Sequence, residues 1–528
     1  MVAAARFLLL AAVAAACICC SSARELKQPV QGDLWAVLIA GSAGYGNYRH
    51  QADICHAYQI LRHGGVKEDH IITMMYDDIA DHPSNPHPGK LFNRPKGPDV
   101  YTGVKIDYSH EDVNAENFLA VLAGNASAVN AGRRSSRRVL ETGPNDKVFV
   151  YYSDHGAPGI VGMPSGPFLY ADQLHAVIAT RARERAFGEM VVYIEACESG
   201  SMFEGLLEED LRIYATTAAN AHESSWGTYC PGMNPSPPPE FGTCLGDLYS
   251  VAWMENAEHA DLTLETLKKQ FQLVKQRVSQ NFTYSQGSHV LRFGALPIGE
   301  EPAAEFMGYG NTGDGTVPLA QPLLGNDGED AGAAGEGAPW VQLGAVAQRE
   351  ADLLPLWHAA QTAPEGAARA AAARELEAEV SRRTALDASV TAAVRRLLAS
   401  PASGALPLLH FKYGGSAQLG PLLAAGLASP SGTPPEALVA AVVGQALPRP
   451  AGTALVDDWD CLRAMVGAWE GACGRLDQYG MRHTRAFANL CNTGLRPADL
   501  GAAAAEGCTT GSSGAAVLIG PDAHVAEA

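Results

Sequence analysis

Short, nearly continuous apolar runs recur through the first half of the chain. They read LWAVLIA at 34–40, IITMMY at 71–76, KVFVYY at 147–152, MVVYI at 190–194 and LRIYAT at 211–216. Strands that are buried on both faces lack the apolar-polar alternation of half-exposed strands, and they are typical of a parallel sheet covered by helices. The runs therefore predict five buried, parallel strands.

Helical patterns lie between these runs, at 51–62, 116–123 and 171–183. Strands that alternate with helices predict a doubly wound α/β sheet. Ligands of such sheets bind at the carboxyl ends of the strands. We therefore look for chemistry in the residues that directly follow each apolar run.

The second half of the chain has a different character. Residues 310–339 are rich in Gly, Asp, Glu, Pro and Ala without periodicity, which predicts an exposed linker suited to proteolysis. Residues 345–400 predict helices, 401–452 predict loops around one short helix, and 457–494 are again helical. A chain of 528 residues exceeds what one core usually organises, so we expect at least two folded units.

The N-terminus has the pattern of a secretory signal. Arg6 precedes an apolar run at 7–20, and the small residues Ser21, Ser22 and Ala23 follow it. The apolar run is too short to span a bilayer, which favours a signal peptide over residues 1–23. A buried N-terminal helix is the alternative. No later stretch is long and apolar enough to predict a transmembrane helix, so we expect a soluble mature protein.

The eleven cysteines fall into groups. Three leave with the signal. An oxidising compartment makes disulfide partners of the six near or within the second half: Cys230, Cys244, Cys461, Cys473, Cys491 and Cys508. Cys55 and Cys197 remain, and each is either a buried thiol or a reactive residue of a functional site. Cys55 lies inside a predicted helix and is assigned to the core.

The net charge of −19 and the absence of a long Lys/Arg block argue against nucleic acid or an anionic membrane as a partner.

Two strand ends carry candidate chemistry. One run ends in Asp154-His155-Gly156, and another ends in Ala-Cys197-x-x-Gly. A thiol is a good nucleophile only as the thiolate, and a nearby imidazole can take its proton. Taken singly, Cys197 and His155 also fit a buried thiol and a core histidine. Together, at neighbouring strand ends, they favour catalysis, with the backbone amides of Gly156 and Cys197 as candidate oxyanion donors.

The first strand ends in a glycine-rich turn, Gly41 to His50, that delivers an amide, a guanidinium and an imidazole. A phosphate-binding loop is excluded because the Lys-Ser/Thr ending is missing. Asn47 is therefore a candidate for the third member of a triad, which would hold one tautomer of His155.

Distributed motifs resemble legumain, the asparaginyl endopeptidase family that includes the plant and algal vacuolar processing enzymes. The matching segments are GSAGYGNYRHQADICHAYQI at 41–60, MMYDDIA at 74–80, SDHG at 153–156, YIEACESGSM at 193–202, YATTAAN at 214–220, ESSWGTYC at 223–230, CLGDLYSVAWME at 244–255, and DDWDCLRAMV with QYGMRHTRAFANLCN within 457–492.

This resemblance implies a caspase-like α/β catalytic domain at 24–310, an activation linker at 311–345 and an all-α, disulfide-pinned, autoinhibitory prodomain at 346–528. It implies cleavage after asparagine by a zymogen that acid activates, with Cys197 as nucleophile, His155 as base and Asn47 as third member. Neither a cofactor nor a metal is implied. The implied partners are protein and peptide substrates and the chain's own prodomain, with a zymogen dimer as a further expectation. The implied location is the vacuole or lysosome, or the outside of the cell.

The resemblance also maps an S1 pocket, the site that holds the side chain before the cleaved bond. Its residues are Arg49, His50, Glu195, Ser224, Ser225 and Asp247. An asparagine side chain has one acceptor and one donor group, so a pocket for it needs a donor such as Arg49 and acceptors such as Glu195 and Asp247. An ionised aspartate would meet those two negative charges, so we expect cleavage after Asp only at acid pH.

Further expectations concern covalent features. In the family, an Asp-His-Gly step can close to a succinimide, so Asp154 is a candidate; a capping carboxylate is the alternative. The implied disulfides are Cys230–Cys244, Cys461–Cys491 and Cys473–Cys508, whereas the sequence by itself allows three pairings for the last four cysteines. The remaining candidates are the self-cleavage residues Asn311, Asn326, Asp327 and Asp330 and the glycosylation residues Asn125 and Asn281.

Two departures from the family pattern stand out. Ala43 replaces a common Asn before Gly44. The activation region reads Ala-Gln-Arg-Glu at 347–350, where plant relatives often have Asn-Gln-Arg-Asp. A familiar processing point is therefore expected to be missing.

Three rival readings remain. The chain could favour transpeptidation over hydrolysis. It could resemble the glycolipid-anchor transamidase subunit, although no membrane tail is visible. It could also be an inactive binding or storage protein, a reading that the intact Asn47, His155 and Cys197 disfavour.

Overall fold

The structure is a computed structural model that describes residues 32–130, 132, 135–310, 344–430, 433–450 and 452–508. The predicted signal peptide and most of the predicted activation linker lie outside these residues. Within the described ranges, none of the helices combines the length and apolar character that crossing a bilayer requires.

The strands, in chain order, are β1 (Leu34–Ala40), β2 (Ile71–Met74), β3 (Lys147–Ser153), β4 (Gly156–Ala157), β5 (Ile160–Val161), β6 (Leu169–Tyr170), β7 (Glu189–Glu195), β8 (Ile213–Thr217), β9 (Trp226–Thr228), β10 (Gly246–Asp247), β11 (Leu291–Gly294) and β12 (Ala345–Ala347).

The α-helices, in chain order, are α1 (Tyr48–His63), α2 (Ala115–Ala123), α3 (Ala171–Arg183), α4 (Leu248–His259), α5 (Leu267–Val278), α6 (Ala304–Met307), α7 (Leu353–Thr362), α8 (Ala367–Ala399), α9 (Ala405–Tyr413), α10 (Gly420–Leu427), α11 (Glu436–Gly444), α12 (Trp459–Cys473), α13 (Thr484–Cys491) and α14 (Pro497–Cys508).

The main sheet has six strands in the order β11-β8-β7-β3-β1-β2. All neighbours are parallel except β11, which pairs antiparallel with β8. The five predicted apolar runs form the parallel part. No apolar run predicted β11, because this short edge strand is only partly buried.

Helices cover both faces of this sheet. Alternate residues of β1 enter different cores: Ala36 and Leu38 pack with α1, α4 and α5, whereas Val37 and Ile39 pack with α2 and α3. This division follows from the two-residue period of a strand. It explains why the runs lack polar alternation, and it confirms the predicted doubly wound, mainly parallel α/β fold.

The C-terminal part is helical and has its own core, formed by apolar residues of α8 to α14. Two disulfides cross it, Cys461–Cys491 and Cys473–Cys508. Ala157, Ile160 and Phe168 of the catalytic part also belong to this core. The two parts therefore share a continuous apolar interface.

The prediction for 401–452 is wrong, because this stretch contains three helices, α9, α10 and α11, rather than one. Leu409, Leu423 and Val442 are fully or almost fully buried in the C-terminal core. Pro421 lies in the first turn of α10, where a helix tolerates proline. Pro421 and Pro435, which is the N-cap of α11, therefore mark helix starts, and alanine supports the helices that follow them.

The prediction of helices from residue 345 onward is also wrong at its start. Residues 345–347 form strand β12, which pairs antiparallel with β9 of the catalytic part. The local sequence could not predict this strand because its partner lies more than one hundred residues earlier in the chain.

Candidate active site

The nucleophile and base candidates lie at the ends of neighbouring parallel strands, as predicted. Strand β3 pairs with β7, and Ser153 is opposite Glu195. His155 and Cys197 each follow two residues later. An ideal Cβ at Gly156 would come within 2.2 Å of the Cys197 carbonyl oxygen. Only glycine therefore lets the two strand ends approach this closely.

Asn47 orients the imidazole of His155. Its Oδ1 lies 2.8 Å from His155 Nε2, and its Nδ2 donates to the Ala43 carbonyl oxygen at 2.8 Å. An amide oxygen is an acceptor, so His155 carries its proton on Nε2 and its lone pair on Nδ1. Nδ1 is buried and has no hydrogen-bond partner. This tautomer leaves Nδ1 available to take a proton from the thiol.

Burial keeps both groups neutral in this form of the chain. Cys197 is fully buried, and burial raises the pKa of its thiol. Burial, followed by the positive charges of Arg49 and Arg349, holds the pKa of His155 well below its usual range. A neutral thiol is a poor nucleophile. The arrangement therefore keeps the candidate nucleophile and the candidate base uncharged.

The predicted S1 residues converge beside Cys197, and all of them are buried except Ser224, which is partly exposed. Arg49 Nε donates to Asp247 Oδ1 at 3.0 Å. Glu195 Oε2 accepts from the amide and the hydroxyl of Ser250, each at 3.1 Å. His50 Nδ1 is 2.6 Å from Ser42 Oγ, and its Nε2 is 3.5 Å from Asp247 Oδ2.

Three buried polar atoms of this pocket have no hydrogen-bond partner: Arg49 Nη2, Glu195 Oε1 and Asp247 Oδ2. They are one donor and two acceptors. A primary amide has an oxygen that accepts and an NH2 that donates twice. The unpaired atoms therefore have the polarity that complements an asparagine side chain.

The acids of the pocket repel one another. Burial raises the pKa of Glu195 well above its usual range, and the charge of Asp247 raises it further. Asp53, a buried acid that sequence reasoning missed, accepts from Asn93 at 2.7 Å and from Ser153 at 3.0 Å. Burial and the charge of Asp247 raise the pKa of Asp53 as well.

Asp154 is buried, and neither carboxyl oxygen has a hydrogen-bond partner. Both readings of this residue, the succinimide site and the capping carboxylate, therefore stay predictions. Oδ1 is 3.6 Å from His50 Nδ1, and an ideal Cβ at Gly162 would meet Oδ2 at 2.1 Å. Burial raises the pKa of Asp154 well above its usual range.

A segment of the C-terminal part occupies the site. Strand β12 pairs with β9 in the register Ala345↔Thr228, Val346↔Gly227 and Ala347↔Trp226. The next residue, Gln348, enters the predicted S1 pocket and is fully buried. This segment therefore lies along β9 as an extended peptide.

The side chain of Gln348 satisfies part of the pocket. Nε2 lies 3.3 Å from Asp247 Oδ1 and 3.2 Å from His50 Nε2. Oε1 lies 3.5 Å from Cys197 Sγ. The Gln348 amide N–H donates to the Ser225 carbonyl oxygen at 2.9 Å. Sequence reasoning noted the segment 347–350 only for its departures at Ala347 and Glu350 and gave Gln348 no role.

Arg349 lies on the other side of the thiol. Its guanidinium donates to the Glu198 carboxylate, to the Gly156 carbonyl oxygen at 3.1 Å and to Ser224 Oγ at 3.2 Å. Ser224, predicted beside S1, therefore contacts the residue after Gln348. Sequence reasoning missed Glu198, although it directly follows the nucleophile.

A second prodomain residue reaches the triad. Gln478 Oε1 accepts from Asn47 Nδ2 at 3.0 Å. This contact spans 431 positions of the chain, so no sequence signal could have indicated it.

The remaining candidates lie as follows. The structure has the disulfide Cys230–Cys244, which forms a small apolar cluster with Ala351 and Val346. Cys55 is a buried free thiol of the core and lies 3.8 Å from Met75 Sδ. Asn125 and Asn281 are exposed. The self-cleavage candidates Asn311, Asn326, Asp327 and Asp330 lie outside the described residues.

One group of side chains in the described residues has metal-ligating atoms within 4.8 Å of one another: His50, Asp154 and His155. His155 is the candidate base, and His50 and Asp154 lie beside it at the predicted S1 pocket. We therefore assign no metal to these three residues.

Known proteins match this chain over most of its length. The model of the peptidase C13 family matches residues 34–309, and the model of the legumain prodomain matches residues 443–508. The vacuolar-processing enzyme beta-isozyme of Arabidopsis thaliana is 46% identical over 465 residues, covering 88% of this chain and 84% of that protein. The vacuolar-processing enzyme of Vicia sativa is 44% identical over 492 residues, covering 91% of this chain and 86% of that protein.

Among solved structures, caspase-1 from Spodoptera frugiperda aligns with a TM-score of 0.30 and 10% identity, covering 50% of this chain and 86% of that one. The family assignment rests on the sequence matches. The chain belongs to the peptidase C13 family and is a legumain-type cysteine endopeptidase with a legumain prodomain.

Proposed function

We propose that this endopeptidase cleaves after asparagine and is made as a zymogen whose own C-terminal part blocks the site. The observation that carries the proposal is the set of three unpaired buried atoms, Arg49 Nη2, Glu195 Oε1 and Asp247 Oδ2, beside Cys197. A pocket built to pair a buried amide rejects residues that lack one, because its polar groups would then stay unpaired.

The proposed reaction uses the tautomer that Asn47 imposes. His155 Nδ1 takes the proton of Cys197, and the thiolate attacks the carbonyl carbon of the asparagine residue. The backbone amides of Gly156 and Cys197 would stabilise the oxyanion. The imidazolium returns its proton to the leaving amine, and water then hydrolyses the thioester with His155 again as base.

Cleavage after aspartate belongs to the same proposal. Glu195 and Asp247 carry negative charge when ionised, so an ionised aspartate side chain is repelled from the pocket. A protonated aspartic acid presents one donor and one acceptor, as asparagine does. We therefore expect turnover of Asp substrates to appear only as pH falls. Equal turnover of Asn and Asp peptides at neutral pH would contradict the pocket assignment.

Gln348 acts as the pseudosubstrate in this proposal. Its side chain is one methylene longer than that of asparagine, and its amide oxygen lies against Cys197 Sγ. The pocket therefore holds an amide in a position that does not lead to cleavage. Acid would loosen the block by protonating carboxylates that pair with prodomain arginines.

Self-processing is proposed to occur in the linker, at Asn311, Asn326, Asp327 or Asp330, because these residues fit the proposed specificity. The location is proposed to be the vacuole or lysosome, reached with the signal peptide 1–23, or the outside of the cell. The vacuolar-processing enzymes that this chain resembles support the vacuole.

Asp154 is proposed as a succinimide site. In this reaction the His155 backbone nitrogen attacks the side-chain carboxyl carbon, and one water is lost. The raised pKa of Asp154 favours the protonated form of its carboxyl group, which is the better electrophile. Intact-mass analysis should find a peptide containing Asp154 that is lighter by one water, and the Asp154→Ala variant should lack it. An unmodified wild-type peptide would count against this site.

Transpeptidation is a second candidate activity on the same site. The contacts of Arg349 with Ser224 and Gly156 hold a residue on the leaving side of the thiol. An incoming amine could bind there and resolve the thioester in place of water. Product analysis with an added peptide amine distinguishes the two activities: a ligated product supports the transpeptidase, and hydrolysis alone excludes it.

The main experiment uses the acid-activated enzyme with matched Ala-Ala-Asn, Ala-Ala-Asp and Ala-Ala-Gln reporter peptides. We expect cleavage of the Asn peptide alone near neutrality and of the Asp peptide in addition at acid pH. Cys197→Ala should be inactive and stay full length, whereas Cys55→Ala, which removes the other free thiol, should stay active. An acidified wild-type chain that cleaves none of the peptides would contradict the proposed function.

A further inference from the structure

Glu198 directly follows the nucleophile and has an unusual backbone. Its φ is 48°, in the left-handed region that non-glycine residues rarely adopt. Its amide N–H donates to the Glu223 carbonyl oxygen at 2.8 Å, and its own carbonyl oxygen accepts from Ser201 Oγ at 2.6 Å. A strained residue at a reactive centre calls for a functional explanation.

The carboxylate of Glu198 faces two cations, and both belong to the prodomain side of the chain. Arg349 donates directly to Oε2, and Arg485 Nη2 lies 3.7 Å from Oε1. The Glu198 side chain is only 5% exposed in this arrangement. When the prodomain leaves, this carboxylate loses both partners at the edge of the catalytic site.

The register of the bound segment identifies the position that Arg349 occupies. Gln348 fills the S1 pocket, so it stands where the residue before the cleaved bond would bind. Arg349 therefore stands where the residue after that bond would bind, the P1′ position. The segment runs antiparallel to β9 up to Ala347, so the direction of the chain across the thiol is fixed.

From these contacts we propose that Glu198, with Ser224 Oγ and the Gly156 carbonyl oxygen, forms an acidic S1′ subsite that selects arginine, and secondarily lysine, directly after the cleaved asparagine. This inference rests on the proposed function and adds a substrate class to it: proteins with exposed Asn–Arg or Asn–Lys bonds.

The chemistry of the subsite supports a cation. All three groups that contact Arg349 present acceptors: a carboxylate, a hydroxyl and a carbonyl oxygen. Guanidinium carries five N–H donors in a planar fork and can pair with several acceptors at once. Lysine can also neutralise Glu198, but its ammonium group is a compact point charge without the planar fork of donors that arginine has. An acidic P1′ residue would meet a like charge there.

A simpler role for Glu198 is to anchor the prodomain only. In that case the mature enzyme would be indifferent to the charge at P1′. Arginine and citrulline distinguish the two roles, because citrulline has nearly the same shape and differs in replacing the guanidinium by a neutral urea group.

The experiment compares kcat/KM of the activated enzyme for peptides with Asn at P1 and Arg, citrulline or Glu at P1′. Hydrogen bonds to charged groups contribute about 1.5–3 kcal/mol, so we expect Arg to exceed citrulline by about tenfold or more. Glu should be the poorest of the three. In Glu198→Gln the Arg-to-citrulline ratio should fall close to unity. Glu209→Gln, which changes an exposed acid outside the site, should keep the wild-type ratio.

The outcomes separate this inference from the proposed function. If the wild type cleaves all three Asn peptides with equal kcat/KM, the acidic subsite is wrong and the asparaginyl specificity stands. If it cleaves none of them, both fail. The wild-type comparison decides the matter by itself should Glu198→Gln not fold, and the use of a ratio removes any general effect of the substitution on the thiol.

Discussion

At the scale of the residue, the decisive feature is that burial keeps the proposed catalytic pair, Cys197 and His155, uncharged. The pKa of Cys197 is raised and that of His155 is lowered, both chiefly because water is excluded. The bound segment contributes to that exclusion, since Gln348 contacts the thiol directly. Removing the segment exposes both groups to water and shifts both pKa values towards their usual range.

This predicts a change in thiol reactivity on activation. In the full-length chain Cys197 should be alkylated slowly by iodoacetamide, because little thiolate is present and the segment covers it. After release of the prodomain the alkylation rate of Cys197 should rise by at least an order of magnitude. Mass spectrometry of the peptide that contains Cys197 measures this rate. Cys55 is an internal control, because it is buried in the core of the catalytic part and should react slowly in both forms. Equal alkylation rates of Cys197 in the full-length and the activated chain would contradict the proposal that the segment shields the thiol.

A second prediction at this scale concerns Gln348. Shortening the side chain by one methylene in Gln348→Asn should move the amide away from Cys197 Sγ and bring the backbone carbonyl to it. We expect cleavage between residues 348 and 349 and faster activation, detected as a fragment that begins at Arg349. Gln348→Ala is the control, since it empties the pocket without supplying a substrate amide. If neither variant is cut there, the segment does not bind as a substrate does.

At the scale of the element, α12 (Trp459–Cys473) docks the prodomain onto the β4–β6 region. The Trp459 ring lies so close to Gly159 that an ideal Cβ there would come within 2.7 Å of it. Arg463 pairs with both carboxyl oxygens of Asp172 at 2.9 Å. An aromatic anchor beside a bidentate ion pair is a typical energetic centre of an interface.

Trp459→Ala should therefore remove about 2 kcal/mol of docking free energy. Arg463→Ala should remove about 1 kcal/mol or less, because the pair is part exposed. In full-length zymogens both variants should activate at a higher pH than the wild type, measured by loss of the prodomain across a pH series. Arg496→Ala is the matched control, since its partner Asp499 lies within the prodomain. If Trp459→Ala loses its prodomain at the same midpoint pH as the wild type, this contact is not a docking anchor.

At the scale of the whole molecule, three buried acids make the stability of the catalytic part depend on pH. Asp53, Asp154 and Glu195 are buried acids whose pKa values are raised. Their folded forms hold protons more tightly than the unfolded chain, so the stability they contribute is full below the unfolded pKa and is lost as pH rises through the folded pKa. Asp172 and Glu198 form ion pairs with arginines of the C-terminal part.

The catalytic part is therefore favoured by acid, which is consistent with the proposed activation at acid pH.

Asp154 offers a direct test, because it is buried and burial raises the pKa of its carboxyl group. In the Cys197→Ala background, which prevents self-cleavage, Asp154→Asn should raise the melting temperature at neutral pH by a few degrees and change it little at acid pH. Differential scanning calorimetry across pH provides the measurement. A destabilised variant at neutral pH would show that the ionised carboxylate, and not the protonated acid, stabilises the fold.

The sequence by itself determined the parallel strands and the residues at their ends. Apolar runs report burial on both faces, and the carboxyl ends of parallel strands must meet at one edge of the sheet. His155 and Cys197 followed from that rule. The pocket residues and the disulfide pairs needed the family resemblance as well, because Arg49, Glu195 and Asp247 carry no local signal of their convergence.

Only the tertiary structure decided what occupies the site and what surrounds the thiol. Strand β12 exists because β9 offers it hydrogen bonds, and the three helices in 401–452 exist because a core of distant residues buries their apolar faces. Glu198 acquires its role from Arg349, 151 positions away. Such contacts join segments whose separation along the chain leaves no periodicity to detect, so local propensity and pattern could not reveal them.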